Sequence, residues 1–267
     1  MTLVQGDVSI AVTEIGSAGP PLVLLHGLAG SSREMEPTAR SLSDDFRVLL
    51  IDQRGHGAST RRPSDLSREA FVGDVVHVIE TLAPGERCVL VGQSMGAHTA
   101  FLVAAARPDL VDRLVMLEGH VAGSGDPQDA ARLGDFFASW PASFPDEAAA
   151  RAALGGDAVV DAWVADLEPI PEGLRPRFDA DVMRRTIEDV HAPRWSEWES
   201  LEVPTLAIFA EHGMFDDADK DELIRRRPTT DRADLAEGGH DAHLDAFDAW
   251  VSVLRGWLST GRGHDDD

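Results

Sequence analysis

The chain has 267 residues, of which 43% are hydrophobic and 27% charged, a balance typical of a globular protein with one large core. Its formal net charge of −23 disfavours nucleic acid and anionic membrane surfaces as partners, because such a surface repels phosphate groups. The first residues show no basic stretch followed by an apolar one, and no apolar run approaches transmembrane length. A cytoplasmic location is therefore expected.

Short β-rich runs alternate along the chain with helical patterns, which predicts a mostly parallel β-sheet flanked by helices. Several runs are continuously apolar, as expected for strands that are buried on both faces. The predicted strands are 8–15, 21–27, 46–52, 87–92, 112–119, 204–210 and 232–237. The predicted helices are 31–43, 67–82 (with Ser67 as N-cap), 94–106, 218–227 and 242–258. The C-terminal tail at 261–267 is expected to fray.

The segment 123–198 breaks this alternation, since it contains no convincing strand and is rich in aromatic residues. We interpret it as a helical cap inserted between two strands and placed over the sheet, with 1–122 and 199–267 forming the core domain. Most of the aromatic side chains are expected to form the cap's own core. Trp140 and Trp163 are the candidates for the roof of a ligand pocket, because ligand sites are mostly apolar concavities.

The stretch GQSMG at 92–96 lies between a predicted strand and a predicted helix, and it fits the G-x-S-x-G turn that presents a nucleophilic serine. The serine of such a turn has a strained backbone, and side chains at the flanking positions would clash with neighbouring chain. Gly92 and Gly96 meet that requirement. The following helix directs its free N–H groups toward the negative charge that develops during acyl transfer. Ser94 is therefore the candidate nucleophile.

The stretch HGLAG at 26–30 ends another predicted strand, where a backbone N–H can face a reacting carbonyl group. The amides of Leu28 and Met95 are the expected pair of donors for an oxyanion. His26 and Gly27, from the same stretch, are expected to line the substrate site.

Near the C-terminus, GGHDAHLD places His240 in the loop after the last predicted strand, and DQRGHG at 52–57 forms a glycine-rich turn. Together with the HG stretch, the serine turn and the insertion, these motifs occur in the order of the α/β-hydrolase fold family. The chain resembles that family over nearly its whole length. The resemblance implies the family's fold and a Ser–His–acid triad in which His240 is the general base. The histidines and carboxylates show no metal-ligand spacing, and no cofactor is implied.

The triad acid departs from the usual pattern of the family, whose aspartate follows the strand after the cap, where this chain has Gly213. The family's second location ends the strand after the nucleophile helix, and there LVMLEG supplies Glu118. This placement is similar to that in haloalkane dehalogenases and in the fungal hydrolases that open resorcylic lactones. Glu118 is the preferred acid, and Asp216, Asp217 and Glu211 are alternatives. The stretch DDADKDEL, which contains two of them, is also typical of an acidic helix N-terminus.

These residues predict a serine hydrolase that cleaves a carboxylic ester or lactone through an acyl-enzyme on Ser94, with Glu118 orienting His240. The aromatic cap favours a small-molecule substrate with an apolar body. The same triad also serves C–C bond hydrolysis, perhydrolysis and biosynthetic cyclisation or acyl transfer, and these reactions stay open. The displaced acid leaves one further hypothesis, a non-catalytic protein that binds a ligand in the cap pocket.

Overall fold

The structure is a computed structural model that describes residues 1–124, 126 and 128–260, so the tail predicted to fray lies outside it. Its strands are β1 (Thr2–Gln5), β2 (Val8–Ile15), β3 (Pro21–Leu25), β4 (Arg47–Ile51), β5 (Cys88–Gln93), β6 (Val111–Leu117), β7 (Glu168–Ile170), β8 (Gly173–Arg175), β9 (Thr205–His212) and β10 (Asp231–Gly239). Its helices are α1 (Ser32–Leu42), α2 (Arg68–Leu82), α3 (Met95–Ala106), α4 (Asp129–Ala138), α5 (Glu147–Leu154), α6 (Ala158–Ala165), α7 (Ala180–Val190), α8 (Trp195–Glu199), α9 (Asp217–Arg226), α10 (Ala242–Asp245) and α11 (Phe247–Thr260).

The central sheet has the spatial order β1-β2-β4-β3-β5-β6-β9-β10. Strand β2 pairs antiparallel with β1 and β4, and the pairings from β4 onward to β10 are parallel. The predicted class, a mostly parallel sheet flanked by helices, is thus confirmed. Strand β1 was not predicted, because it is a short edge strand whose side chains are at best half-buried.

Two apolar clusters cover the two faces of the sheet, and alternate residues of β3 divide between them, as the two-residue period of a strand requires. Val23 and Leu25 join the cluster formed with α2 and α3. Leu22 and Leu24 join the cluster formed with α1 and α11. Because both faces are covered, all of β3 and β5 is buried, and the parallel strand ends come together at one edge.

Between β6 and β9 the chain forms helices α4 to α8 and the antiparallel hairpin β7–β8. The expectation that this segment contains no strand was wrong. Each hairpin strand has only three residues, and Pro169 and Gly173 are residues typical of a loop. A third apolar cluster joins Phe137 and Phe178 of this segment to Phe71 and Met95 of the sheet and its helices.

The predicted helix 242–258 is divided into α10 and α11 at Ala246, whose φ of −129° and ψ of 42° are not helical. The Asp245 carboxylate, just before the break, accepts hydrogen bonds from the N–H of Gly239 at 3.2 and 3.0 Å. The short helix α10 is thereby fixed to the end of β10, next to His240. No helix in the described part of the chain is long and apolar enough to cross a membrane.

Candidate active site

Ser94 lies in the sharp turn between β5 and α3 with φ 51° and ψ −118°. A Cβ atom on Gly92 would overlap the backbone of Gly96, and one on Gly96 would overlap the carbonyl oxygen of Leu25. Glycine is therefore required at both positions for a steric reason. The N–H of Ser94 donates to the carbonyl oxygen of Leu117 at 2.9 Å, which ties the turn to β6.

Glu118 directly follows β6, and its side chain is completely buried. One carboxylate oxygen accepts a hydrogen bond from the N–H of Ala210 and the other from the N–H of Met214, each at 2.8 Å. Its Oε2 lies 3.4 Å from Nδ1 of His240, at the long end of hydrogen-bond distances. Two backbone donors thus hold the carboxylate in place beside the candidate general base.

The Glu118 carboxylate occupies the space where a side chain at residue 213 would begin, since a Cβ atom on Gly213 would overlap it. The alternative acids are not brought to His240. Asp216 caps α9, accepting from the N–H of Asp219 at 3.0 Å, and its own N–H donates back to the Asp219 carboxylate. The remaining alternatives, Asp217 and Glu211, are exposed.

Three non-glycine residues of the described chain have positive φ, and all belong to the stretches that converge on this site. They are Ala29 at 62°, Ser94 at 51° and Glu118 at 47°. Residues with side chains avoid this region of backbone conformation, and such strain concentrates at functional sites. The surrounding structure therefore fixes all three segments in unfavourable conformations.

A cavity of about 770 Å³ brings Ser94, His240 and Glu118 together. Its lining also contains the predicted residues Gly27, Leu28, Met95 and Trp163, together with Leu133, Phe136, Phe137, Ile187 and Val190 from the segment between β6 and β9.

His26 and Trp140, which were expected in the substrate site, are not among the residues that line this cavity. His26 is completely buried, with Nδ1 2.7 Å from the carbonyl oxygen of Gly27, and its Nε2 accepts from the N–H of Gln53 at 3.0 Å. Both ring nitrogens are therefore engaged with backbone. The Trp140 ring packs against that of Trp163 with centroids 5.1 Å apart.

Gln93, which precedes the serine, could not be predicted as a site residue because the motif allows any residue there. Its Nε2 donates to the carbonyl oxygen of His240 at 2.9 Å and to Oδ1 of Asp241 at 3.3 Å. A Cβ atom on Gly27 would overlap the Gln93 side chain. Gln93 therefore links the serine turn, the HG stretch and the histidine loop.

Four further residues with carboxyl groups line the cavity, namely Glu34, Asp129, Asp219 and Asp241. Burial raises the pKa of Glu34 and of Asp241, and the Asp241 charge adds to the increase for Glu34. Oε1 of Glu34 lies 3.8 Å from Nε2 of His243, whose pKa burial lowers to about 3, so the histidine is uncharged near neutral pH. Sequence reasoning missed Glu34 because a glutamate in the first turn of a helix usually faces solvent. Within residues 1–124, 126 and 128–260, no group of three His, Cys, Asp or Glu is arranged to hold a metal ion.

A family model described as alpha/beta hydrolase fold matches residues 20–159. The 2-(acetamidomethylene)succinate hydrolase of Mesorhizobium japonicum is 30% identical to this chain, over 77% of the chain and 75% of that protein. The chain therefore belongs to the α/β-hydrolase fold family.

Solved structures show the same fold. The crystal structure of E-2-(acetamidomethylene)succinate hydrolase has a TM-score of 0.86 at 24% identity, covering 97% of this chain and 100% of that one. The enol-lactonase from Burkholderia xenovorans LB400 has a TM-score of 0.79 at 21% identity, with coverage of 97% and 100%. With relatives named as hydrolases, the prediction that this chain is an enzyme of the α/β-hydrolase class is confirmed.

Proposed function

We propose that the protein is a serine hydrolase that cleaves a carboxylic ester or lactone. Ser94 is the nucleophile, His240 the general base and Glu118 the acid that orients the histidine. The observation that carries this proposal is the 3.4 Å approach of Glu118 Oε2 to His240 Nδ1 beside a cavity that also contains Ser94. A contact of this length is common before substrate binds, since catalytic hydrogen bonds often shorten in the reacting complex.

In this mechanism Nε2 of His240 removes the Ser94 hydroxyl proton as Oγ attacks the substrate carbonyl carbon. The backbone amides of Leu28 and Met95 stabilise the negative charge on the tetrahedral oxygen. The imidazolium then gives its proton to the leaving alcohol, and an acyl-enzyme remains on Ser94. Water attacks the acyl group with His240 again as the base, which releases the acid and restores the hydroxyl.

Glu118 acts in two ways in this scheme. It fixes the tautomer that carries a proton on Nδ1 of His240, and its negative charge stabilises the imidazolium formed in each half of the reaction. The hydrogen bonds from Ala210 and Met214 hold the carboxylate still, so little ordering is required when charge develops.

We assign the segment 123–198 as a cap that covers the site. Its apolar contribution to the cavity wall supports a substrate with an apolar body. The enol-lactonase among the structural neighbours supports a lactone as one substrate class, and the relative named for a succinate derivative acts on a carboxylate-bearing molecule.

The test is release of p-nitrophenol from p-nitrophenyl butyrate by wild type, Ser94→Ala and Glu118→Gln. Wild type is expected to turn over, and each variant to lose kcat/KM by about a hundredfold or more. Asp217→Asn is the matched control, because it removes an exposed carboxylate from a competing position. Wild-type activity in Glu118→Gln would contradict the assignment of the acid, and wild-type activity in Ser94→Ala would contradict the nucleophile.

A further inference from the structure

Arg68, at the start of α2, is completely buried, yet the chain leaves much of its guanidinium group without partners. Its Nη2 donates to Oγ1 of Thr99, and its guanidinium carbon lies 4.4 Å from the centre of the Phe71 ring. Its Nε and Nη1 have no hydrogen-bond partner in the described part of the chain. Burial lowers the pKa of Arg68 to about 9, so the group is still a cation near neutral pH.

Arg54 shows how this protein compensates a buried arginine elsewhere. Its Nε and Nη2 donate to the two carboxylate oxygens of Asp74 at 2.6 and 2.7 Å. Its Nη1 donates to the carbonyl oxygen of Asp65 at 2.8 Å. Arg68 has no such carboxylate, and burying an uncompensated charge is costly. The carboxylates that act on Arg68 over longer distances are those of Glu69 and Asp189, which are both exposed.

His98 connects this charge to the cavity. It lies one turn after Ser94 in α3, its backbone N–H donates to the Ser94 carbonyl oxygen at 3.1 Å, and it is one of the residues that line the cavity. The side chain is 1% exposed, and neither ring nitrogen has a partner among the described residues. Burial lowers its pKa well below the ordinary value, and the positive charges of Arg68, Arg194 and His191 lower it further.

The carboxyl groups in the cavity wall differ in their surroundings. Those of Glu34 and Asp241 belong to the side of His240, where Gln93 contacts Asp241. Asp129 also lines the cavity and forms an ion pair with Arg132, and the Asp219 carboxylate accepts from the N–H of Asp216 at 3.3 Å. The charges of Arg68 and Arg194 act on His98. An anion next to His98 would lie in the field of the Arg68 cation, with which no carboxylate of the described residues forms an ion pair. That interaction is strong in surroundings with little water.

We propose that His98, with the buried charge of Arg68 behind it, forms a subsite for a carboxylate carried by the substrate. The preferred substrates are then esters whose acyl part bears a second carboxylate remote from the scissile bond. His98 donates an N–H to this carboxylate, and Arg68 supplies the compensating charge. This inference rests on the proposed function for the identity of the scissile bond, but the subsite itself can be tested by binding alone.

The kinetic test compares monomethyl adipate with methyl hexanoate, which have the same acyl chain length and differ in the terminal carboxylate. Acid release is followed by titration at constant pH. Wild type is expected to prefer monomethyl adipate by about tenfold or more in kcat/KM, mainly through a lower KM. Arg68→Met should reduce this ratio about tenfold, and Arg68→Lys should retain part of it because the charge remains. Arg185→Met, which removes an exposed cation from α7, should keep the wild-type ratio.

A wild-type ratio at or below one, or an unchanged ratio in Arg68→Met, would overturn the subsite. A preference for methyl 6-aminohexanoate over both esters would overturn it as well, and would assign the dominant charge of the cavity to Glu34 and Asp241.

A binding test keeps the inference falsifiable if Arg68→Met does not fold or if wild type cleaves neither ester. The Tm of Ser94→Ala is measured in the presence of each ester. Monomethyl adipate is expected to raise this Tm more than methyl hexanoate does. The combined variant Ser94→Ala/His98→Phe should lose that difference. Equal shifts from the two esters, or a difference that survives in the combined variant, would exclude the carboxylate subsite. Absence of turnover with an intact binding difference would instead contradict only the proposed hydrolysis.

Discussion

At the scale of single residues, Glu118 and Gly213 are sterically linked. The carboxylate from the end of β6 takes the position that a side chain after β9 would need, so a side chain at 213 and the present position of Glu118 exclude each other. The absence of the usual aspartate and the presence of a buried glutamate are therefore two aspects of one arrangement. Glu118 and Gly213 lie after neighbouring strands, because β6 and β9 are adjacent in the sheet.

Gly213→Ala tests this link. The added methyl group would overlap the Glu118 carboxylate and displace it from His240, so kcat/KM for p-nitrophenyl butyrate is expected to fall about tenfold or more. Gly156→Ala is the control, because nothing lies within 4 Å of a Cβ atom there. Equal activity of the two variants would show that the position of Glu118 does not depend on the absence of a side chain at residue 213.

The candidate site also shows which residues a sequence can reveal. Ser94 is visible because its turn depends on glycines two residues away, which are part of a local motif. Arg68 could not be recognised, since a guanidinium beginning a helix ordinarily faces solvent. His98 was a possible pocket residue from its place after Ser94, but a histidine within a helix has no fixed role. Their significance arises only because α2, α3 and the segment between β6 and β9 pack around them.

At the scale of elements, the strands at the centre of the sheet were predictable because apolar runs bounded by turn residues are local signals. The prediction 8–15 agrees with β2 at both ends. The division of the last predicted helix was not predictable, since it depends on a contact between Asp245 and the N–H of Gly239 from β10. The hairpin β7–β8 was missed because its strands are shorter than any periodic pattern.

Arg61 joins the loop before α2 to the segment between β6 and β9. Its guanidinium donates to Asp179 Oδ1 at 2.7 and 2.9 Å, to the carbonyl oxygen of Phe178 at 2.7 Å and to that of Pro176 at 2.9 Å. Arg61→Ala is expected to cost about 1–3 kcal/mol of stability and to loosen this segment. A lower Tm and faster proteolytic cleavage within 123–198 would be the readouts.

Arg62 provides the matched comparison, because it contacts Asp179 and Asp181 with a largely exposed side chain. Exposed pairs contribute little, so Arg62→Ala should shift Tm less than Arg61→Ala does. An equally small decrease in Tm for both variants would contradict the view that Arg61 stabilises the packing of this segment.

At the scale of the whole molecule, stability should fall in mild acid partly because of buried neutral histidines. Burial lowers the pKa of His243 to about 3 in the folded state, whereas the same side chain in the unfolded chain has a pKa near 6.5. In mild acid the unfolded chain therefore binds a proton that the folded protein does not bind. The unfolded state therefore binds more protons as pH falls below about 6.5, and the free energy of unfolding decreases. Between pH 7 and pH 5 this group should contribute a loss of about 2 kcal/mol.

His243→Leu isolates this contribution, because the leucine fills a similar volume and does not titrate. Urea unfolding at pH 7 and pH 5 should show a smaller loss of stability for the variant than for wild type. His212→Leu, at an exposed position, should lose as much as wild type does. The prediction fails if all three proteins have the same dependence on pH.

The exclusion between Glu118 and Gly213 also constrains the history of such a site. An aspartate introduced at 213 while Glu118 is present would overlap the glutamate carboxylate, and loss of Glu118 before that substitution would remove the carboxylate that we propose as the partner of the His240 ring. Neither single step leads from one working arrangement to the other. A lineage that exchanges the strand supplying its acid must therefore pass through a crowded or an impaired enzyme, or change both residues together. The acid's location is for this reason expected to be inherited as a stable trait that separates subgroups within one fold.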